Sequence, residues 1–378
     1  MKNLLIQTIK SAITKTPFSY DKEIDFDTLF NLSKIHDLIP LVSGGLFKNG
    51  LMPDTETGDN FKLVQKTALF MFAKREAERN KLIKIFSENE VPFILLKGSV
   101  LRDFYPEQYL RTQGDIDVLV PSDKYDFACD LMVNELKCIK SSMSSHDITF
   151  TTPVGVQFEL HFSLDGTTEA EEKLLETVWE HTIPSLDNPY MLCMDNEFFM
   201  FYHIVHMVKH FKAGGIGVKA FLDFHIIKQN MICDEEKLMS LLNSSNLLTF
   251  YNSVDELTSM WFEDAPSTSI SKELEQFVLN AGVFGSIENN VALEQLKKGG
   301  KLRHLLDKAF LSREKMSTYY ENSKKYPILL PYYQVKRWCR IFFSKGRAHA
   351  LAEIKENQLM TSEKQQKIDN LYKQLNLK

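Results

Sequence analysis

The stretch that decides the fold is FILLKGSVLRDFYPEQYLRTQGDIDVLV, residues 93–120. It begins with an apolar run, turns at Gly98-Ser99, and ends in a second apolar run that contains Asp115 and Asp117. Both runs are short and compact, which predicts two buried strands. The segment that opens on Gly98-Ser99 predicts a short helix between them. The unusual feature is a pair of carboxylates inside a strand that otherwise reads as buried.

The two carboxylates share one face of their strand. Side chains at i and i+2 point the same way, so Asp115 and Asp117 lie side by side and Ile116 points to the other face. Two unpaired negative charges at this distance are costly to bury. A divalent cation between them makes the arrangement favourable, and Mg²⁺ suits it because Mg²⁺ takes oxygen ligands and keeps places for phosphates and water.

The turn before the predicted helix provides an anion site. Gly98 allows close approach of the backbone, and Ser99 offers a hydroxyl and an N–H group at the start of a helix. Helix N-termini attract anions through free N–H groups and the helix dipole. Positive charge comes from Lys97 or Arg102, and the sequence leaves open which of them points inward.

Glu159 is the third candidate acid. It lies in VQFELHF, a later predicted strand, with Gln157 and His161 on the same face. A carboxylate on a neighbouring strand completes a metal site or accepts the proton of an attacking hydroxyl.

The rest of the chain is predicted to be mainly helical. Residues 1–90 form a helical segment packed on the core, and residues 60–89 form one long amphipathic helix. Residues 91–165 form a core of alternating strands and helices, including a hairpin. Residues 166–378 form a helical C-terminal domain, because no convincing strand pattern follows residue 168.

Composition sets further bounds. Of 378 residues, 44% are apolar and 25% are charged, which is typical of globular proteins with a sizeable core. The formal net charge of −5 gives no overall attraction for nucleic acid. The five cysteines are widely spaced, which predicts reduced thiols in a cytoplasmic protein with no stable disulfide partner. No apolar run approaches the ~18 residues that span a bilayer, so no membrane partner is expected.

The arrangement of these residues resembles the nucleotidyltransferase superfamily with the polymerase β-like fold. That superfamily has a Gly-Gly or Gly-Ser turn that opens a helix, an Asp-x-Asp or Asp-x-Glu pair on the next strand, and a third acid on a later strand. This chain has Ser99 at the second position of the turn, which the superfamily tolerates. The motif covers about 70 residues.

A narrower resemblance is to a bacterial family of uncharacterised nucleotidyltransferases. In that family Lys-Gly precedes the helix, an Arg stands shortly before the acidic pair, and Glu-x-His ends the hairpin. The likeness extends over most of the chain, with weaker similarity outside the core. The residues that match are Lys97, Gly98, Arg111, Asp115, Asp117, Glu159 and His161, with His146.

The resemblance implies a fold and a set of roles. The fold is α+β: a small mixed β-sheet nucleotidyltransferase core with flanking helices and a large all-helical C-terminal domain. Asp115, Asp117 and Glu159 hold one or two Mg²⁺ ions and are the catalytic residues. A nucleoside monophosphate passes from an NTP such as ATP to a hydroxyl acceptor, and pyrophosphate leaves. The predicted nucleotide-binding residues are Lys97, Gly98, Ser99, Arg102, Arg111 and His161.

A second group of polar residues lies on predicted helices after the core. His203, His206 and His210 share a helix face, which suggests a metal site. No carboxylate or cysteine stands at matching spacing, so a packed helix with partly buried histidines is favoured. Lys219 and Asp223 share the face of the next helix, and their roles stay open.

Two His-Asp pairs resemble those of metal phosphohydrolases. No histidine precedes His36-Asp37 as that chemistry requires, and His146-Asp147 falls in a predicted strand where adjacent side chains point apart. The prediction is therefore a nucleotidyltransferase whose acceptor is a protein, an RNA or a small molecule. Two alternatives remain: a catalytically silent nucleotide- or metal-binding module of the same fold, and a helical interaction protein.

Overall fold

The computed structural model describes residues 1–283, 285–298, 300–320, 322–343 and 346–378. The other five positions belong to the predicted helical region 166–378 and lie outside the described residues. The chain divides into two compact units. The first comprises residues 1–209 and 217–283, and the second comprises residues 210–216 and 284–378.

A seven-stranded mixed sheet lies in the first unit, with strand order β3-β4-β5-β2-β1-β7-β6. The pairs β2–β5 and β1–β7 are parallel, and the other neighbouring pairs are antiparallel. Helices precede and follow these strands in the sequence. The mixed sheet and its helices confirm the predicted α+β class. The strands are β1 Phe93–Leu95, β2 Asp115–Leu119, β3 Ile139–Met143, β4 Asp147–Thr151, β5 Gln157–His161, β6 Thr182–Ser185 and β7 Asn188–Met194.

Helices precede, interrupt and follow the sheet. Those up to β6 are α1 Lys2–Thr14, α2 Phe26–Ile35, α3 Ile39–Lys48, α4 Glu56–Glu88, α5 Gly98–Leu101, α6 Tyr125–Asn134 and α7 Glu169–Leu175. Those after the sheet are α8 Asn196–Lys212, α9 Val218–Asn230, α10 Glu235–Ser244, α11 Leu248–Phe262, α12 Ser269–Ala281, α13 Ile287–Lys298, α14 Lys301–Ala309, α15 Arg313–Tyr319, α16 Asn322–Lys325, α17 Leu330–Phe342, α18 Gly346–Leu359 and α19 Ser362–Gln374.

The sheet core fixes which face of β2 carries the acids. Ile116 and Val118 are buried in an apolar cluster that also contains Phe93 of β1 and Phe86 of α4. Each buried apolar side chain of this size contributes roughly 1.5–3 kcal/mol, so the register of β2 is firmly held. Asp117 alternates with these residues and therefore emerges on the opposite face.

The expectation that no strand follows residue 168 is wrong at residues 182–194. There β6 and β7 form an antiparallel hairpin, and β7 pairs in parallel with β1. Pro184 lies on the edge strand β6, beside an irregularity in the register. Proline is tolerated at edges and bulges because it removes one ladder hydrogen bond, and the same property makes such a strand hard to predict.

No helix within the described residues has both the length and the apolar character needed to cross a membrane. The five cysteines are all free thiols. Cys138 is buried in the sheet core, whereas Cys193 and Cys339 are exposed.

His36 joins the N-terminal helices to α9. It follows the end of α2, is fully buried, and its Nδ1 accepts a hydrogen bond of 3.3 Å from the backbone N–H of Val218. A ring nitrogen that accepts a hydrogen bond is unprotonated. Burial lowers the pKa of His36 to about 4, because the charged form loses its hydration.

This burial predicts an acid-sensitive contact. As the pH falls, the unfolded chain binds a proton at His36 near pH 6.5, whereas the native protein does not. The contribution of neutral His36 to stability is therefore fully present above the unfolded pKa of about 6.5 and is lost as the pH drops toward 4. The loss is about 3 kcal/mol. We expect His36→Asn, whose amide oxygen replaces Nδ1 as acceptor, to show a shallower decline between pH 6.5 and 4. Denaturant titrations at several pH values measure both slopes, and equal slopes would contradict the assignment.

Candidate active site

The acidic residues converge because of strand register. Strands β2 and β5 are parallel neighbours, and Asp117 pairs directly with Glu159 across them. Asp115 pairs with Gln157, and Leu119 pairs with His161. Directly paired residues on adjacent strands point to the same face, with Cβ atoms roughly 5 Å apart. The sheet therefore brings together side chains that are more than 40 residues apart in the chain.

Asp117 lies at the centre of the group. Its Oδ1 accepts a hydrogen bond of 2.9 Å from Lys97 Nζ and lies 3.1 Å from His161 Nε2. Lys97 reaches Asp117 from the end of β1 with a backbone φ of 43° and ψ of −114°. This conformation is costly for a residue with a side chain, and such strain is concentrated at functional sites.

Opposite charges hold Asp117 and Lys97 ionised. Burial on its own raises the pKa of Asp117, but the charges of Lys97 and His161 outweigh it and hold that pKa far below its usual range. Burial on its own lowers the pKa of Lys97, and the neighbouring Tyr202 and Asp117 reverse this and raise it. The ion pair is therefore present across the whole physiological pH range.

The pKa values of the two other acids are raised, in contrast to that of Asp117. Burial raises the pKa of Glu159 to about 7, and the charges of Asp115 and Asp117 add to the shift. Burial and the charge of Asp117 also raise the pKa of Asp115. Three carboxylates thus share one Lys97 ammonium, which leaves excess negative charge on this face of the sheet.

The donor set fits a divalent cation. In the described part of the chain, ligand atoms of Asp117, Glu159 and His161 lie within 4.8 Å of one another. His161 Nε2 is 3.8 Å from Glu159 Oε2 and within hydrogen-bond distance of Asp117, so the histidine orders Asp117. Asp115 lies two residues before Asp117, on the same face of β2. Carboxylate oxygens in this number suit Mg²⁺, whereas the imidazole nitrogen is a ligand that transition metals accept more readily.

The Gly98-Ser99 turn is occupied by protein contacts. Ser99 is buried. Its Oγ accepts a hydrogen bond of 3.0 Å from Gln113 Nε2, and its N–H donates a hydrogen bond of 3.1 Å to Leu96 O. A phosphate contact from Ser99 requires these bonds to change. A Cβ at Gly98 would collide with Arg111 Nη1, so the glycine at this position admits the guanidinium.

Arg111 is held from behind by Asp223. Its Nε and Nη2 donate to the two carboxylate oxygens of Asp223 at 2.9 and 2.8 Å, and Tyr105 Oη donates to the same carboxylate at 2.8 Å. Only 9% of the Arg111 side chain and 5% of the Asp223 side chain are exposed. Two of the three guanidinium nitrogens are thus used for position, and Nη1 faces Gly98.

A second polar network lies beside this pair. Lys219 Nζ donates to Asp37, to Thr112 Oγ1 at 2.7 Å and to the backbone carbonyl of Thr112. Thr112 Oγ1 in turn donates to the Asp37 carboxylate. Asp37 therefore anchors the segment before the acidic pair, and the sequence left the role of Lys219 open.

Arg102 points toward α4, away from Asp117. Its guanidinium pairs with Glu76 and lies 5.3 Å from the centroid of the Phe72 ring. The side chain is 3% exposed. The sequence left open whether Lys97 or Arg102 faces the acids, and the structure places Lys97 there.

Of the histidines outside the acidic group, His146 differs from its predicted surroundings and His203 agrees with them. The expectation that His146 and Asp147 point apart is wrong: β4 begins only at Asp147, and His146 Nε2 lies 3.3 Å from Asp147 Oδ2. His146 stacks on His161 with ring centroids 6.3 Å apart. His203 is buried and its Nε2 lies 3.1 Å from Ala220 O, which agrees with a packed helix.

One contribution to the site was missed in the sequence, and the role of another residue was left open there. Tyr202 of α8 is buried beside Lys97 and raises its pKa. Asp223 supports Arg111 from 112 positions away in the chain. Neither has a spacing signal, because both meet the core only through tertiary packing.

Comparisons with known proteins place the chain in a family. The profile of the family described as uncharacterised nucleotidyltransferase matches residues 22–263, which include every acid and base named above. The solution structure of the antibiotic-resistance factor ANT(2'')-Ia aligns with a TM-score of 0.35 and 10% identity, over 48% of this chain and 96% of that chain. Curated proteins give no match. Since the family profile covers well over half of the sequence, the chain belongs to the uncharacterised nucleotidyltransferase family.

Proposed function

We propose that the protein is a Mg²⁺-dependent nucleotidyltransferase that moves a nucleoside monophosphate from an NTP to a hydroxyl acceptor. The observation that carries the proposal is the direct pairing of Asp117 with Glu159 across β2 and β5. Asp115 extends the acidic face, and the excess negative charge is what a divalent cation neutralises.

The reaction follows from the placement of the groups. Mg²⁺ bound by Asp115, Asp117 and Glu159 would neutralise phosphate charge during attack on the α-phosphorus. A bond forms between the acceptor oxygen and the α-phosphorus, and the bond from that phosphorus to the α–β bridging oxygen breaks. Pyrophosphate carries away the released electron pair. The acceptor proton passes to Glu159, whose carboxylate stands beside Asp117 on the neighbouring strand.

The supporting residues have separate tasks. His161 orders Asp117, and Lys97 keeps Asp117 ionised. Arg111 presents Nη1 beside the glycine turn, where a phosphate oxygen can be bound. The five free thiols favour a cytoplasmic setting for this activity.

The proposal is tested by following the α-phosphate. The full chain is incubated with each α-labelled NTP and Mg²⁺, alone and with cell extract, and matched reactions contain EDTA or a γ-labelled NTP. We expect label from the α-position to appear on an acceptor, no label from the γ-position, and complete loss with EDTA because the cation that neutralises the phosphate charge is removed. Transfer of the γ-label would indicate a kinase and overturn the proposal.

The alternatives give different results in the same experiment. A catalytically silent module would bind NTP in a metal-dependent way without transferring label. An interaction protein with an incidental acidic pair would do neither. Mg²⁺-dependent transfer from the α-position to a defined acceptor is the one result that supports the enzyme.

A further inference from the structure

A cavity of about 340 Å³ lies beside the acidic face, between α4 and the segment that leads into β2. It is within the first unit, and its lining ends at Gly114, the residue before Asp115. This volume is in the range of small-molecule sites. We call it the α4 cavity.

One wall of the α4 cavity carries an arginine without a partner. Arg75 of α4 is half-buried in the lining, and it makes no hydrogen bond or ion pair with the described residues. Burial lowers its pKa, and the charges of Asp115 and Asp37 partly oppose the shift. Other arginines of α4 and its surroundings are paired, as Arg79 and Arg102 are with Glu76. An unpaired guanidinium in a cavity is a site for an anion.

The opposite wall carries a second free donor. Arg111 also lines the cavity, and its Nε and Nη2 are bound by Asp223 while Nη1 has no hydrogen-bond partner among the described residues. The side chain is 9% exposed, so the group is buried and fixed in direction. Two arginines from separate elements therefore line one space.

The part of the lining that α4 contributes is mainly apolar. Val64, Ala68, Met71 and Phe72 stand at helical spacing on the face of α4 that borders the cavity. Such a surface accepts a flat ring, whereas the two guanidinium groups bind an attached anion. The ligand that matches both parts has several negative charges at one end and a planar apolar group at the other.

The position of the α4 cavity relative to Glu159 indicates which ligand the cavity binds. In an in-line transfer the acceptor oxygen and the leaving pyrophosphate lie on opposite sides of the α-phosphorus. Glu159 is on β5, on one side of β2, and the glycine turn with Arg111 follows β1 on the other side. If the acceptor is near Glu159, the phosphates of the donor lie on the side of Arg111 and the cavity.

We propose that the α4 cavity binds the donor nucleotide, with Arg75 and Arg111 on its phosphates and the base against Ala68 and Met71. The identity of the ligand rests on the proposed nucleotidyl transfer. The site itself requires only the cavity and the two free donors. Arg75 is thereby a nucleotide-binding residue contributed by the N-terminal helical segment, outside the strand and turn motif.

Binding of tripolyphosphate without metal tests the anion part. Calorimetry on the full chain compares wild type with Arg75→Gln, Arg75→Lys and the adjacent Lys74→Gln, which removes the same charge outside the lining. We expect Arg75→Gln to weaken binding about 10- to 100-fold, because a charge-assisted bond is lost, Arg75→Lys to recover part of it, and Lys74→Gln to stay within about twofold. Equal losses in the glutamine variants, or no binding by wild type, would overturn the proposal.

Filling the cavity tests the base part. Ala68→Leu keeps a strong helix former and adds volume to the wall of α4. We expect wild type to bind at least one of the four common NTPs more tightly than tripolyphosphate, and Ala68→Leu to remove this difference while tripolyphosphate affinity is kept. If the preference survives in Ala68→Leu, the base lies elsewhere and the proposal is wrong.

These measurements are separable from the test of transfer. Arg75-dependent binding without any label transfer would support the α4 cavity and overturn the proposed activity. Label transfer combined with nucleotide and tripolyphosphate affinities that do not depend on Arg75 would support the proposed activity and overturn the proposed role of the α4 cavity. Thermal melting of each variant shows whether the substitutions leave the fold intact.

Discussion

The Asp117→Asn variant is expected to lose nucleotidyl transfer by a factor of about 10³ or more, equivalent to about 4 kcal/mol of transition-state stabilisation. The amide keeps the size of the carboxylate but removes its charge, and with it the attraction for both Lys97 and a cation. Asp117 is the acid with the most contacts in the site, so its removal has the largest effect on rate. Initial rates of label transfer from an α-labelled NTP measure the loss.

The control is a matched change outside the site. Asp123→Asn removes the same charge from an exposed position just after β2, and we expect it to keep full activity. Lys97 is 25% exposed, so the ammonium left unpaired by Asp117→Asn remains partly hydrated and the variant is expected to fold. A folded Asp117→Asn protein that transfers label at the wild-type rate would show that the acidic face is not catalytic.

The sequence predicts the acidic face because the underlying rule is local. The two-residue period of a strand places Asp115 and Asp117 together without reference to any other part of the chain. The side on which Lys97 lies does not follow from a local pattern, because its backbone φ of 43° departs from strand geometry. Glu159 is brought to Asp117 by the parallel register of β2 and β5, which no local pattern specifies.

The strands that the sequence analysis missed lack a burial signal. All five residues of β3 are exposed, so its Ile-Lys-Ser-Ser-Met sequence shows no apolar face. Pro184 and Pro189 interrupt the hairpin of β6 and β7. Edge and bulged strands are held by their neighbours more than by their own composition, so their sequences carry little information about pairing.

The direction of side chains outside regular elements could also not be predicted from the sequence. Arg102 and Arg111 both lie in the irregular segment between β1 and β2, yet the first binds Glu76 and the second binds Asp223. The distinction depends on which helix packs over each of them. Electrostatic complementarity then fixes the choice, because each guanidinium is buried against one carboxylate.

The second large effect is expected from Asp223→Ala, which should lower the free energy of unfolding by about 3–5 kcal/mol. The substitution leaves the Arg111 guanidinium buried without a counter-charge and removes the acceptor of Tyr105 Oη. Asp255→Ala is the matched control, because Asp255 pairs with Lys228 where both side chains are about one-third exposed. Such a surface pair is worth about 0–1 kcal/mol, and denaturant titration distinguishes the two losses.

A double substitution separates stability from ligand binding. Arg111→Met with Asp223→Leu removes both charges and keeps apolar volume, and buried ion pairs replaced in this way are often no less stable. We expect the double variant to recover most of the stability lost in Asp223→Ala while its affinity for tripolyphosphate stays low, because Nη1 is gone. If affinity returned together with stability, Arg111 would act only as a structural partner of Asp223. Low affinity in a stable protein would instead show that Asp223 holds Arg111 in place for the ligand.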